Sequence, residues 1–143
     1  MTPTTARHDL IGGMVTTLTA FKAANPSLLR GVHVSRPESY PDLPAAFPDG
    51  ITESVLHDSG IRTRTMTASV LVVRRITNNA EAMTAWHVLV DALMDAFTAV
   101  PQFTPNTIWS RMTVNDEDAP FGDYDFAAVR FTFTDMTVAE GRV

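Results

Sequence analysis

The chain has 143 residues, enough to bury one core and too few to divide into two of ordinary size. Its 45% hydrophobic and 19% charged residues are ordinary globular usage, which excludes disordered and fibrous classes. A formal net charge of -5 argues against tight binding to a nucleic-acid backbone, and the absence of cysteine removes disulfides, thiolate nucleophiles and cysteine-ligated metals. Apolar runs such as Val70 to Val73 fall far below the roughly 20 residues that span a bilayer, so no membrane segment is expected. Arg7, His8 and Asp9 interrupt the position a secretory signal would fill, and folding in a cytoplasm is the simplest expectation.

From the N-terminus, Thr5 to Ala24 sets Leu10, Ile11, Met14, Val15, Leu18 and Phe21 on one helical face, and Asn25-Pro26 ends the pattern. Gly12-Gly13 inside this helix weakens it by about 1 kcal/mol per glycine, so a close tertiary contact is expected there. Arg30 to Arg36 alternates Val32 and Val34 with Gly31, His33 and Ser35 and predicts a half-buried strand. Ser35 to Pro48 holds four prolines around Tyr40, Leu43 and Phe47 and predicts a stiff surface arm.

Ile51 to Thr67 predicts an extended hairpin that turns at Asp58-Ser59-Gly60, with Gly60 in the left-handed conformation. Ile61, Thr63, Thr65 and Thr67 point one way and Arg62, Arg64, Met66 and Ala68 the other, too polar a ribbon for its own core to cover. The strand continues through Val70 to Val73, apolar on both faces and therefore central in a sheet. Asn78 with Glu81 matches a capping box, followed by Met83, Trp86, Val90, Leu93, Phe97 and Val100 as the apolar stripe of a second helix that ends at Pro101.

Two more strands are expected. Thr107 to Asn115 sets Ile108, Met112 and Val114 opposite Trp109, Arg111 and Thr113. Tyr124 to Met136 sets Ala127, Val129, Phe131 and Phe133 opposite Phe126, Ala128, Arg130 and Thr132. Asp116 to Asp123 reads as an acidic, solvated loop and Thr137 to Val143 as a frayed tail. The whole is one α+β domain over residues 1–143, with a mainly antiparallel sheet, two helices packed on one face and the extended hairpin.

Residue types that carry chemistry are not arranged for it. The acidic loop offers oxygen ligands but lacks the spacing and closing Glu of a calcium loop. His57, Asp58 and Ser59 are triad residue types crowded on a turn, and no histidine has metal-ligand spacing or glycine run a phosphate cradle. No catalytic, cofactor or metal residue is therefore assigned, and the chain is read as not an enzyme. The informative feature is the sheet face turned away from the helices, which would carry Trp109, Phe126, Arg111, Arg130 and one of Arg74 and Arg75. Aromatic and arginine enrichment is the composition of a buried protein interface. With Arg62 and Arg64 on the hairpin and Phe121 in the acidic loop, these are the expected contacts to other subunits or partners. Ten of the eleven basic residues are Arg, which suits planar pairing at subunit contacts, although a coding bias would give the same composition.

In this order of elements, and in the stretches Val32-His33-Val34-Ser35-Arg36-Pro37, Ile61-Arg62-Thr63-Arg64, Leu71-Val72-Val73-Arg74 and Leu89-Val90-Asp91-Ala92-Leu93, the chain resembles the tail terminator proteins of long-tailed phages (siphophages), from the first helix to the last strand. The resemblance implies a virion protein made in the host cytoplasm. It implies a homo-oligomeric ring, a homohexamer in that family, that caps the tail tube, stops its polymerisation and presents a surface to the head-completion or connector protein. The hairpin would then pack across a subunit boundary, and DNA would pass through the ring without specific binding. The alternatives are another head–tail connector or neck protein and, from a different class, a small α+β enzyme or ligand-binding domain.

Overall fold

Helix α1 spans Ala6–Ala24 of the computed structural model, which describes residues 6–40, 42–76, 79–104, 107–118, 120–122 and 125–142. Leu10, Met14, Leu18 and Phe21 are its buried residues, at steps of four, four and three that keep them on one stripe. The Asn25 backbone N–H and side-chain Nδ2 both donate to the Phe21 carbonyl, closing the helix ahead of Pro26. The paired glycines separate into two roles. A Cβ on Gly13 would lie 2.0 Å from the Phe103 carbonyl oxygen, whereas one on Gly12 would meet nothing within 4 Å.

The main sheet has five strands in the order β1-β2-β3-β7-β6: β1 Gly31–Val32, β2 Ala45–Asp58, β3 Ile61–Arg75, β6 Arg111–Asp118 and β7 Phe126–Arg142. Every pairing in it is antiparallel except β1 with β2, so the expected mainly antiparallel α+β fold is the one observed. A small separate sheet pairs β4 Gln102–Thr104 with β5 Thr107–Ile108. Helix α2 spans Ala80–Ala99. Its cap is Asn79, whose side chain accepts from the N–H groups of Glu81 (2.8 Å) and Ala82 (3.4 Å); Asn78, expected as the cap, lies outside the described residues.

Both helices pack on one face of the sheet. There α1 and the α2 residues Trp86, Leu89, Leu93 and Phe97 meet Met66, Val70 and Val72 of β3 and Val129, Phe131 and Phe133 of β7. Phe97, Phe103, Phe131 and Phe133 form an edge-to-face cluster, with Phe133 centred 4.9 Å from both Phe97 and Phe103. This geometry places positive ring edges against negative ring faces.

The first strand is shorter than 30–36, because only Gly31 and Val32 find partners on β2, and Val34 is exposed. The proline-rich arm does not run free to Pro48, since Ala45–Pro48 are buried as the first residues of β2. Pro48 is tolerated because β2 beyond Ala46 is an edge strand and a bulge follows between Pro48 and Ile51. The remaining arm folds over the second sheet face, where Tyr40 and Leu43 pack against a small core of Phe47, Leu71, Val73 and Ala128. The acidic segment begins as strand, with Asp116, Glu117 and Asp118 paired to Val129, Ala128 and Ala127, and Pro120–Gly122 forms a short turn of 3-10 helix; residues 119 and 123 lie outside the described residues. The segment expected as a frayed tail is instead the distal part of β7, paired with β3 as far as Arg142 against Ile61.

The two glycines generate a paired prediction. Gly12→Ala raises stability by about 0.5–1 kcal/mol, the ordinary gain at an open helical site. Gly13→Ala lowers it, because α1 must move off the backbone of β4; thermal melting of the two variants shows opposite signs.

Candidate subunit interface

The hairpin of β2 and β3 turns through Ser59 and Gly60, with φ of 51° and 79°. Two consecutive positive φ values are the mark of the tight turn whose twist matches that of the flanking strands, and Gly60 takes the conformation expected of it. Beyond about Glu53 the hairpin leaves the helix layer, and residues 54–59 are all exposed. It does not project as a two-stranded ribbon, because distal β7 runs beside β3 to its tip. A third strand answers the stability problem of an isolated hairpin.

The three-stranded projection has two open edges among the described residues. On one side β2 has no neighbour after Ala46. On the other, β7 loses β6 after Thr134, which pairs with Arg111, the first residue of β6. Val55 and Leu56 are 57% and 67% exposed near the tip. Successive strand residues point to opposite faces, so this pair leaves one large apolar group on each side of the ribbon. Along one face the register aligns hydroxyl side chains: Thr52 opposite Thr67, Ser54 opposite Thr65 and Ser69 opposite Thr132. Unpaired backbone edges with exposed apolar groups are the surface features that strand addition and subunit packing use.

The opposite, helix-side face of the ribbon is fixed where it joins the body. Arg7 of α1 donates to one oxygen of Glu53 (2.7 Å) and Arg64 of β3 donates to the other (2.8 Å). The Glu53 and Arg64 side chains are each only 13% exposed. Burial pushes the Glu53 carboxyl pKa up, but the hydrogen bonds and charges of Arg64 and Arg7 outweigh it and hold the group below its usual 4.5. On the other face, Arg130 links three strands, donating to Glu117 of β6 and to both the carbonyl (3.0 Å) and the carboxylate (2.8 Å) of Asp49 in the β2 bulge. Burial disfavours the Arg130 charge, yet its hydrogen bonds to Glu117 and Asp49 raise its pKa above the ordinary arginine value.

The residues singled out from sequence do not form one patch. Arg64 and Arg130 are already engaged within their own subunit. Arg74 and Arg75 lie over the rings of Trp86 and Phe126 at the end of the sheet away from the hairpin tip. Phe126 is half-buried beneath Tyr40, 5.3 Å between ring centres, and Arg111 is exposed at the start of β6. Arg62 pairs with His57 in the ribbon backbone, but its side chain, like that of Phe121, lies outside the described residues.

Trp109 requires a correction. It was expected on the face turned away from the helices, but it packs on the helix-side core, 5.5 Å from the Phe133 ring. The predicted strand 107–115 breaks at Trp109-Ser110: Thr107 and Ile108 pair with β4, and β6 begins at Arg111. The Trp109 backbone N–H donates to the Pro101 carbonyl and the Ser110 backbone N–H to the Thr134 carbonyl, so the alternation does not hold across the break.

Sequence reasoning missed Val55 and Leu56, although two adjacent apolar residues in a polar ribbon are themselves the signal that one covering layer cannot bury both. It also missed Glu53 and Asp49, whose partners are distant in sequence. Among the described residues no group of three or more metal-ligating side chains is gathered, and no helix is long and apolar enough to cross a membrane. No protein-family model matches the chain, and no curated protein does.

Two expectations follow. Because the Glu53 pKa is depressed on folding, its contribution is present above about pH 4.5 and is lost as pH falls through the folded value. Glu53→Gln therefore melts below the parent at neutral pH, and chemical denaturation in acid shows the gap closing. Trp109→Ala lowers the stability of the isolated subunit by about 2 kcal/mol, roughly half the loss at a fully buried aromatic, measured by urea unfolding.

Proposed function

We propose that this chain is a structural protein of a phage tail: a terminator that assembles into a ring of identical subunits, caps the tail tube and offers the opposite side to the head-completion protein. The observation that carries the reading is the projecting β2-β3-β7 ribbon, with open edges on both sides and exposed Val55 and Leu56 near its tip. A ribbon of this kind is most stable when a neighbouring copy covers it, and a head-to-tail contact between unlike edges closes into a ring when the rotation permits. The resemblance in element order to phage tail terminators supplies the ring and its place at the head-proximal end of the tail. The net charge of -5 accords with a passage for DNA that does not retain it.

The proposal predicts that Val55→Lys combined with Leu56→Lys leaves the subunit folded, with an unchanged circular dichroism spectrum, but monomeric by light scattering. Retention of the parent oligomer would remove the ribbon from the interface. Native mass spectrometry of the parent protein with purified tail tubes tests the role itself. A ring bound at one end of the tube is the expected result, while binding to head connectors and not to tubes would make this a neck protein.

A further inference from the structure

At the end of the sheet away from the hairpin, the consecutive residues Arg74 and Arg75 sit on opposite faces of β3. The Arg74 guanidinium lies over Trp86 and that of Arg75 over Phe126, each 5.2 Å from the ring centre. Neither forms an ion pair among the described residues, and Arg74 Nε is buried without a hydrogen-bond partner. Scarcity of carboxylates is not the reason. The chain has 16 acidic residues to 11 basic, and Arg7, Arg64 and Arg130 are all engaged. A buried donor left unmade is costly, and the cost is recovered when an acceptor arrives.

An acceptor has room to arrive. Both arginines border a cavity of about 260 Å³ whose remaining walls include Leu28, Leu43, Pro44 and Trp86. Ala82 of the first turn of α2 also faces it, so the partial positive charge of that helix end adds to the two guanidinium groups. On its other side Arg74 borders a groove that holds Asp91, Asp116 and Asp118, whose charge opposes a doubly charged anion more than a single carboxylate.

We propose that this cavity receives an acidic side chain flanked by an apolar one, carried on an extended segment of a partner protein. The carboxylate meets Arg74 and Arg75, and the apolar group rests on Trp86, Leu43 and Pro44. Mostly apolar walls suit a side chain better than a free anion, and the acid surplus of the chain disfavours nucleic acid. The site is separate from the ribbon and stands whether or not the ring reading does.

The test is a titration of the full-length protein, followed by the indole N–H of Trp86 and the Nε–H of Arg74 in heteronuclear NMR, with Trp109→Phe to assign the indole. The probes are the blocked dipeptide acetyl-phenylalanyl-aspartyl-amide and its asparaginyl counterpart. Saturable shifts are expected with the aspartyl peptide, and roughly tenfold weaker binding with the asparaginyl one. Arg75→Gln, at an exposed position, weakens aspartyl binding while the rest of the spectrum stays in place. The proposal is overturned by equal binding of the two peptides, or by no shift up to the solubility limit. It is equally overturned if inorganic phosphate displaces the peptide at matching concentration, which assigns the site to a free anion, or if the two resonances move on simple dilution, which assigns it to a second copy of this chain.

Discussion

One strand buried on both faces organises this molecule. Along β3, Val70 and Val72 enter the core beneath the helices, and Leu71 and Val73 enter the smaller core beneath the arm. Four successive apolar side chains are used because there is a layer on each side to receive them. The helices supply one cover through Leu10, Leu18, Leu89 and Phe97, and the proline-rich segment supplies the other through Tyr40 and Leu43. Where either layer runs out the strand turns polar, and Thr63, Arg64 and Thr65, all partly buried, replace the valines. Apolar and polar halves of β3 thus mark the boundary between the body and the projecting ribbon.

That boundary is also where the neighbours of β3 lose regularity. An irregularity on the β2 side, between Pro48 and Ile51, lies opposite Val70 and Ala68, and another on the β7 side lies opposite Ala68 and Met66, so the two meet at Ala68. Extra residues at both flanks raise local twist and re-aim the strands. They have a second effect on side chains. Phe133 and Met136 are an odd number apart, yet both reach the core, which a regular strand would forbid. Gly50, with φ of 97°, permits the bend that brings Asp49 over the sheet to Arg130. The ion pairs of Glu53 and Arg130 tie down the strands on either side of this bend.

Legibility in sequence followed how far apart the interacting residues lie. The helices, the hairpin turn and the alternation of Val129, Phe131 and Phe133 rest on local periodicity, and all were readable. The partner of a strand end is a non-local matter. Thr137 to Arg142 looks like a tail because its own residues carry no clear pattern, and only pairing with Ile61 to Thr65 makes it a strand. Asp116 to Asp118 reads as loop for the same reason, since strand pairing to Ala127, Ala128 and Val129 overrides a low intrinsic preference. Trp109 defeats alternation because the chain changes direction at Trp109-Ser110, a break that no residue type there announces. For the interface set, sequence identified arginines rich in bonding capacity but not that Arg64 and Arg130 spend it inside the subunit.

The hydroxyl-bearing face of the ribbon has a consequence of its own. Threonine gives a strand the β-branched shape that suits a pleated surface while leaving its exterior uncharged and wettable. Thr52, Ser54, Thr65 and Thr67 therefore give this stretch an uncharged, wettable exterior between the Arg130 ion pairs at its base and exposed Leu56 nearer the tip.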